Sequence, residues 1–504
     1  MKRRNLVFAG LLATVAALAG CVRPQPSTSS QEQTPSTSSQ EIQQSTTPVA
    51  PVDKTQGIDK ENKKIYIGNT AATSGGFAVV GRPFNIGLNA ALAAYNNAGG
   101  FGDDHYQVEL KHYDDGFDAA TGLTYTKKLV EEDKVFALVG HFGTPTVSAT
   151  VDYIIGKEVP MVYAATGVDA LYNETAEGGE KAVMPVQPIY KTEGRVLLAR
   201  ALASTDGNLG LGGKKVGVIS TTDEAGMGML SGIQRQAEIL GLGANDIKYV
   251  ETNATAGTNH VTAVATLMAS QCDVVIIAAN QAPFAEIMNC FKTTGYDNVK
   301  VITSYVSANA TLAGQLITSE VVTATREVYT TAWLDITSST YSYKPEETNV
   351  YGTALWNCYK ALVADTYPTY YDNGVPGFSE EYWKAAEDIF TYCCLDSTLV
   401  AESFTMSFDS YALAGYIAGS MFVEGLSRVD AENVELTWAN YIAAMEKESY
   451  DMPMGGAIHL QNGNRVGISD LALNKYGTNA VTSAGELQPF SPITTLDDVV
   501  KGIK

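Results

Sequence analysis

The run Gly140-His141-Phe142-Gly143-Thr144-Pro145 carries residue types that can hold an anion. It follows an apolar stretch ending at Val139 that reads as a buried strand. Thr144 suits a helix N-cap and Pro145 the first helical position. Val147, Val151 and Ile154 then recur at helical spacing. A helix starting there offers free backbone N–H groups and a positive dipole end, which together fit a carboxylate. An ordinary capped helix reads the same way. A second candidate is Met161-Val162-Tyr163-Ala164-Ala165-Thr166-Gly167, after Pro160. Its small residues let a ligand approach the main chain. The Ala164 carbonyl and Thr166 hydroxyl would accept hydrogen bonds from an ammonium. A plain strand-to-loop transition again carries the same residues.

Signatures of catalysis are missing. The chain has no GxSxG, no GxxxxGK[ST] and no GxGxxG after a strand, which argues against an enzyme. His105, His112, His141, His260 and His459 are scattered without HxH or HExxH spacing. Cys272, Cys290, Cys358, Cys393 and Cys394 form no CxxC pair, so neither a disulfide framework nor a zinc site is signalled. Buried free thiols are expected, with a Cys358 link to Cys393 or Cys394 left open. No cofactor is called for. Asp114-Asp115 has the look of an acid pair, but neighbours in a strand face opposite ways.

The two candidate loops need elements to place them, and the pattern supplies these. Ile65–Gly68 reads as a strand. Phe84, Leu88, Ala91, Leu92 and Tyr95 form a helix stopped by Gly99-Gly100, and Val108–Leu110 is a strand. A helix over 119–129 and a strand over 136–139 follow. The rhythm restarts with strands at 216–219, 273–277 and 299–302 and helices at 229–240 and 283–291. Alternation of this kind implies parallel sheets covered on both faces. The expected fold class is α/β, with two Rossmann-like lobes. In such sheets ligands bind at the carboxyl ends of strands, so two facing lobes would enclose a cleft.

The chain has 504 residues, enough for roughly three domains. At 45% hydrophobic it can bury a core, and its net charge of -21 leaves no basic surface for nucleic acid. The charge is most simply that of a soluble surface. Lys2, Arg3 and Arg4 precede a short apolar run, Leu6 to Ala19, and the sequence then reads Leu18-Ala19-Gly20-Cys21. This is expected to be an export signal over 1–20, with Cys21 as a lipidated first residue that anchors without spanning. Residues 21–60, rich in Ser, Thr, Gln and Pro, read as a flexible tether.

Several stretches resemble one family. They are IGNTAATSGGFAVVG, YNNAGGFG, KHYDDGFDAATGLTYTKKLVEEDKVFALVGHFGT and VPMVYAATG, then SFDSYALAGYIAGSMFVEGL and MGGAIHLQNGNRVG. These resemble the periplasmic-binding-protein type I receptors, in particular the branched-chain amino acid (Leu/Ile/Val) binding proteins of ABC importers. The resemblance implies two lobes joined by a three-stranded hinge, closing on a small-molecule solute passed to a permease and ATPase. It places lobe 1 at 61–188 plus 305–449, with an insertion around 325–405, and lobe 2 at 189–304 plus 450–504. By family position, Thr144 would hold the ligand carboxylate, and Ala164 and Thr166 its ammonium. Val80 stands where an aromatic usually covers the ligand. Ala225 replaces an aromatic before Gly226-Met227-Gly228, and Thr258 replaces a Glu that neutralises the ammonium. Either Asp223 or Glu224 compensates, or the ligand has no α-ammonium. Phe77, Phe142, Gly143, Tyr163 and Tyr305 are further candidate pocket residues. A sensing receptor of the same fold, or an extracellular enzyme, are the alternative functions.

Overall fold

A computed structural model of the chain describes residues 54–255, 257–308, 310–334, 380–407, 409–478 and 485–503. Cys21, the signal and tether before residue 54, Cys358 and most of the proposed insertion lie outside them.

Alternating strands and helices build two sheets within the unit Val52–Lys504. In the first, strands Gln107–Asp114, Lys64–Ala71, Ala137–Val139, Met161–Val162 and Val183–Met184 lie side by side and parallel. The short Ile58–Asp59 pairs antiparallel with the start of Lys64–Ala71. In the second, the order is Gly485–Thr494, Leu471–Thr478, Arg326–Ala332, Val299–Thr303, Val274–Ala278, Val216–Thr221, Ile247–Thr252; the last five are parallel. Both sheets are covered by helices, so their strands read as continuous apolar runs. Ile65, Ile67, Leu138, Val218 and Ile276 are fully buried, each contributing about 1.5–3 kcal/mol on transfer from water.

Helices enter and stop where the side chains dictate. Asp118 caps Ala119–Glu131 through the Thr121 amide, and Asp223 caps Glu224–Leu240 through the Gly226 amide. The latter cap starts its helix five residues before the first residue that periodicity marked. Gly241 and Gly295 end their helices in the left-handed conformation.

Two boundaries differ from expectation. Strand Arg326–Ala332 pairs with Val299–Thr303, and helix Ala310–Thr318 packs on the two antiparallel strands of the second sheet. Residues 305–332 therefore belong to the second lobe, and the crossing expected at 305 falls at Trp333-Leu334. At the other end, Arg465 pairs by main chain with Asn173, and its guanidinium meets Glu446 Oε1 at 2.6 Å and the Lys181 carbonyl at 2.8 Å. Residues 450–466 thus lie against the first lobe, so the third crossing lies near Ile468 and not at 450. The first segment continues the strand–helix–strand alternation of the second lobe; the second is assigned by a partner distant in sequence, which local pattern does not reveal.

The four described cysteines, Cys272, Cys290, Cys393 and Cys394, are free thiols; the link left open from Cys358 lies outside the described residues. Among the described residues no helix is long and apolar enough to cross a membrane.

Candidate functional site

Strand order in each sheet reverses at one place, and that is where a crevice opens. In the first sheet it lies between Lys64–Ala71 and Ala137–Val139, in the second between Val216–Thr221 and Val274–Ala278. The loops leaving those strand ends are Ala72–Gly76 and Gly140–Gly143 on one side, Thr222–Asp223 and Ala279-Asn280 on the other.

The helix Thr144–Lys157 begins one residue earlier than expected. Gly143 is its N-cap, at φ 99°, ψ 135°, so Thr144 and Pro145 are the first and second helical residues. A Cβ at position 143 would stand 2.9 Å from the Phe117 ring, and the φ value itself favours glycine. Because Thr144 is not the cap, its hydroxyl is released to the crevice. There it hydrogen-bonds to the Thr166 hydroxyl at 2.8 Å. Thr144 is half-buried and Thr166 buried. The Ala164 carbonyl accepts from the Thr166 amide at 2.9 Å.

Tyr190, which no motif marked, sits beside this pair. It opens the helix Tyr190–Leu202 after the first crossing. Its phenol interacts with both Thr144 and Thr166, and burial pushes it up to about 12. Three hydroxyls converge, each able to donate to a carboxylate. Below them Glu193 is fully buried. Its carboxylate accepts from Ser304 Oγ at 2.6 Å, the Tyr305 amide at 2.8 Å and the Thr331 hydroxyl, and burial raises it. Tyr305, half-buried, donates its phenol to the Pro188 carbonyl at 3.2 Å. Tyr305 and Tyr190 thus tie the first crossing to the strand ends of the second lobe.

The lobes touch at the crevice. Ser148 Oγ donates to both carboxylate oxygens of Glu224 at 3.3 Å. Asp223 is held by Thr221 Oγ1 at 2.6 Å, the Gly226 amide at 3.1 Å and Asn280 Nδ2 at 3.1 Å.

Other sequence candidates are placed variously. Phe77 is 47% exposed and stacks on Phe117, centroids 3.8 Å apart; through Phe117 it adjoins Gly143, making a wall beside Thr144. Val80, half-buried, packs on the first-lobe core. Phe142 lies in that core with its ring 5.5 Å from Phe84, and Tyr163 is fully buried between Phe84 and Trp333. Ala225 is buried in the second-lobe core. Thr258 donates to the Thr255 carbonyl at 2.5 Å, inside its own turn. Asp114 and Asp115 are structural. Asp114 accepts from the Thr73 and Gly116 amides, Asp115 from the Phe117 amide and Thr146 hydroxyl. Among the described residues no group of three or more His, Cys, Asp or Glu is placed to hold a metal.

A family model described as periplasmic binding protein matches residues 64–348. A search of curated proteins finds no match. Among solved structures, the chain is similar to a fatty acid ABC transporter substrate-binding protein from Thermomonospora curvata. Identity is 16%, covering 89% of this chain and 96% of that one, at TM-score 0.57. It is also similar to a leucine binding protein from Thermotoga maritima MSB8, with 15% identity, 86% and 99% coverage and TM-score 0.55. A third is a solute binding protein of an ABC transporter from Rhodopseudomonas palustris BisB5, in complex with 3,4-dihydroxy benzoic acid; identity is 14%, coverage 85% and 97%, TM-score 0.55.

Proposed function

Since the chain belongs to the periplasmic binding protein family, a family of solute-binding proteins and not of enzymes, we propose that it captures an amino acid or related small carboxylate in its interlobe crevice and delivers it to an ABC importer. The observation that carries this is the convergence of the Thr144, Thr166 and Tyr190 hydroxyls at the first sheet's switch point, opposite the second. Hydroxyl donors beside the start of helix Thr144–Lys157 suit a carboxylate. The ligands named for the relatives above (a fatty acid, leucine, a benzoic acid) all carry that group.

In this reading open and closed states interconvert, and contacts from both lobes to the solute favour closure. The permease and ATPase are the partners, and Cys21 carries the lipid that holds the receptor at the outer face of the membrane. A thermal-shift screen against amino acids, aromatic acids, amides and short peptides tests it. A closing carboxylate raises the melting point by mass action. Stabilisation by amides alone, with no effect of any compound bearing a free carboxylate, refutes the assigned chemistry.

A further inference from the structure

The carboxylates around the crevice all take donors, but one of them keeps a buried oxygen without any. Asp223 takes three, Glu193 three, Asp115 two, and Glu224 takes Ser148 of the other lobe. The two side chains offered as replacements for the missing charge at Thr258 are therefore already engaged. Asp169 differs. It begins the short turn Asp169–Leu171, three residues beyond Thr166. Its Oδ1 is buried and without a hydrogen-bond partner. Burial raises the Asp169 carboxyl, against the pull of the Lys191 charge and amide; the Lys191 ammonium stands over the Tyr172 ring at 4.6 Å from its centroid and makes no hydrogen bond to Oδ1.

This oxygen lies at the seam of the lobes. A Cβ on Gly228, in the second-lobe helix Glu224–Leu240, would fall 2.7 Å from Asp169 Oδ1 and 3.0 Å from Tyr190 Cβ. A Cβ on Gly167 would fall 2.9 Å from the Tyr190 ring. Asp169 thus adjoins Tyr190, whose phenol meets the hydroxyl pair. A buried carboxylate oxygen without a donor is unfavourable until one arrives.

We infer that Asp169 receives the cationic group of a zwitterionic solute whose carboxylate is held by Thr144 and Thr166. The charge that the matching second-lobe position lacks is supplied from the first lobe. The inference rests on the crevice reading above and narrows it to the amino-acid class.

The test uses paired probes that differ only in the ammonium: L-leucine with 4-methylpentanoate, and L-phenylalanine with 3-phenylpropanoate. Melting shifts and calorimetric affinities are measured for the unmodified protein, Asp169→Asn and Thr144→Ala. At least one amino acid is expected to bind, and Asp169→Asn to weaken it by about tenfold or more, as for a charge-assisted hydrogen bond. Binding of the matching deaminated acid should be unaffected by that variant. An unliganded melting point near that of the unmodified protein shows that Asp169→Asn is folded. Equal binding of an amino acid by Asp169→Asn overturns the inference. So does binding of deaminated acids alone; if Thr144→Ala abolishes that binding, the carboxylate site survives while the Asp169 role falls. Binding by none of the four probes overturns the zwitterion assignment as well.

Discussion

Thr144 does its work because it is not a cap. Had the helix begun one residue later, its hydroxyl would have turned to the Thr146 or Val147 amide. With Gly143 as N-cap, the hydroxyl meets Thr166 and Tyr190. Thr144→Ala should weaken binding of a carboxylate solute by about 1–2 kcal/mol. Titration calorimetry checks this, and an unchanged affinity would misplace the site. Beneath it, His141 is fully buried, its Nε2 3.2 Å from Thr126 Oγ1 and 3.1 Å from Thr150 Oγ1. Burial pushes its imidazole down to about 4. The unfolded chain therefore binds the extra proton first as pH falls. Stability is whole above the ordinary histidine value near 6.5 and declines as pH drops towards 4, with about 2 kcal/mol lost by pH 5. Urea titrations at pH 7 and pH 5 should show that loss in the unmodified protein and not in His141→Gln. Equal losses in both would assign it to other groups. Little of this was legible in residue types alone. Thr144 and Thr166 were singled out, but the cap moved by one because a glycine at positive φ, and not a side chain, set the helix start. Tyr190 and Asp169 belong to no motif; only the meeting of two lobes gives them a site.

At the level of elements, each lobe rests on a pair of helices crossing at glycines. In the first, Ala78–Asn97 meets Ser410–Ala431, where a Cβ on Gly87 would strike the Ala412 carbonyl and one on Gly415 the Phe84 carbonyl. In the second, Tyr190–Leu202 meets Glu224–Leu240, where Gly194 lies against Met229 and Gly232 against Lys191. Backbone thus touches backbone, and there is no room for a methyl group. Gly415→Ala should destabilise by about 1–3 kcal/mol, the range for an overpacked core. Gly156→Ala is the contrasting change, in a helix with nothing within 4 Å of the added Cβ; there the gain in helix propensity, up to about 1 kcal/mol, should prevail. Chemical denaturation of the two variants reads the difference. The strands and most helices were legible from periodicity, since Ile65, Phe84, Leu88 and Val218 recur at the spacing their burial demands. The partner of the first-lobe helix was not, because it lies more than three hundred residues away along the chain.

For the molecule as a whole, closure depends on how near the second-lobe helix Glu224–Leu240 comes to Asp169 of the first lobe. Gly228→Leu adds a long side chain where a Cβ alone would already stand 2.7 Å from Asp169 Oδ1. It should hold the lobes apart. Small-angle scattering should then show a larger radius of gyration than for the unmodified protein, with no contraction when a binding solute is added. A contraction of normal size would mean that the seam is not the closing surface. The α/β architecture and its two lobes were evident in the alternation of elements. The crossings were not, since Arg326–Ala332 joins the second sheet through Val299–Thr303 and Arg465 anchors its segment on the first lobe.

Residues 54–61 fasten to the first lobe at the beginning of strand Lys64–Ala71, where Ile58 pairs with Ile65 and Gln56 Nε2 reaches the Val135 carbonyl at 2.9 Å. The crevice lies at the other end of that strand, eight residues and roughly 26 Å away. Under the proposed anchoring at Cys21, the tie to the membrane would join the body at the strand end away from the crevice. Cargo for a transporter in that membrane would then leave by the face opposite the point of attachment.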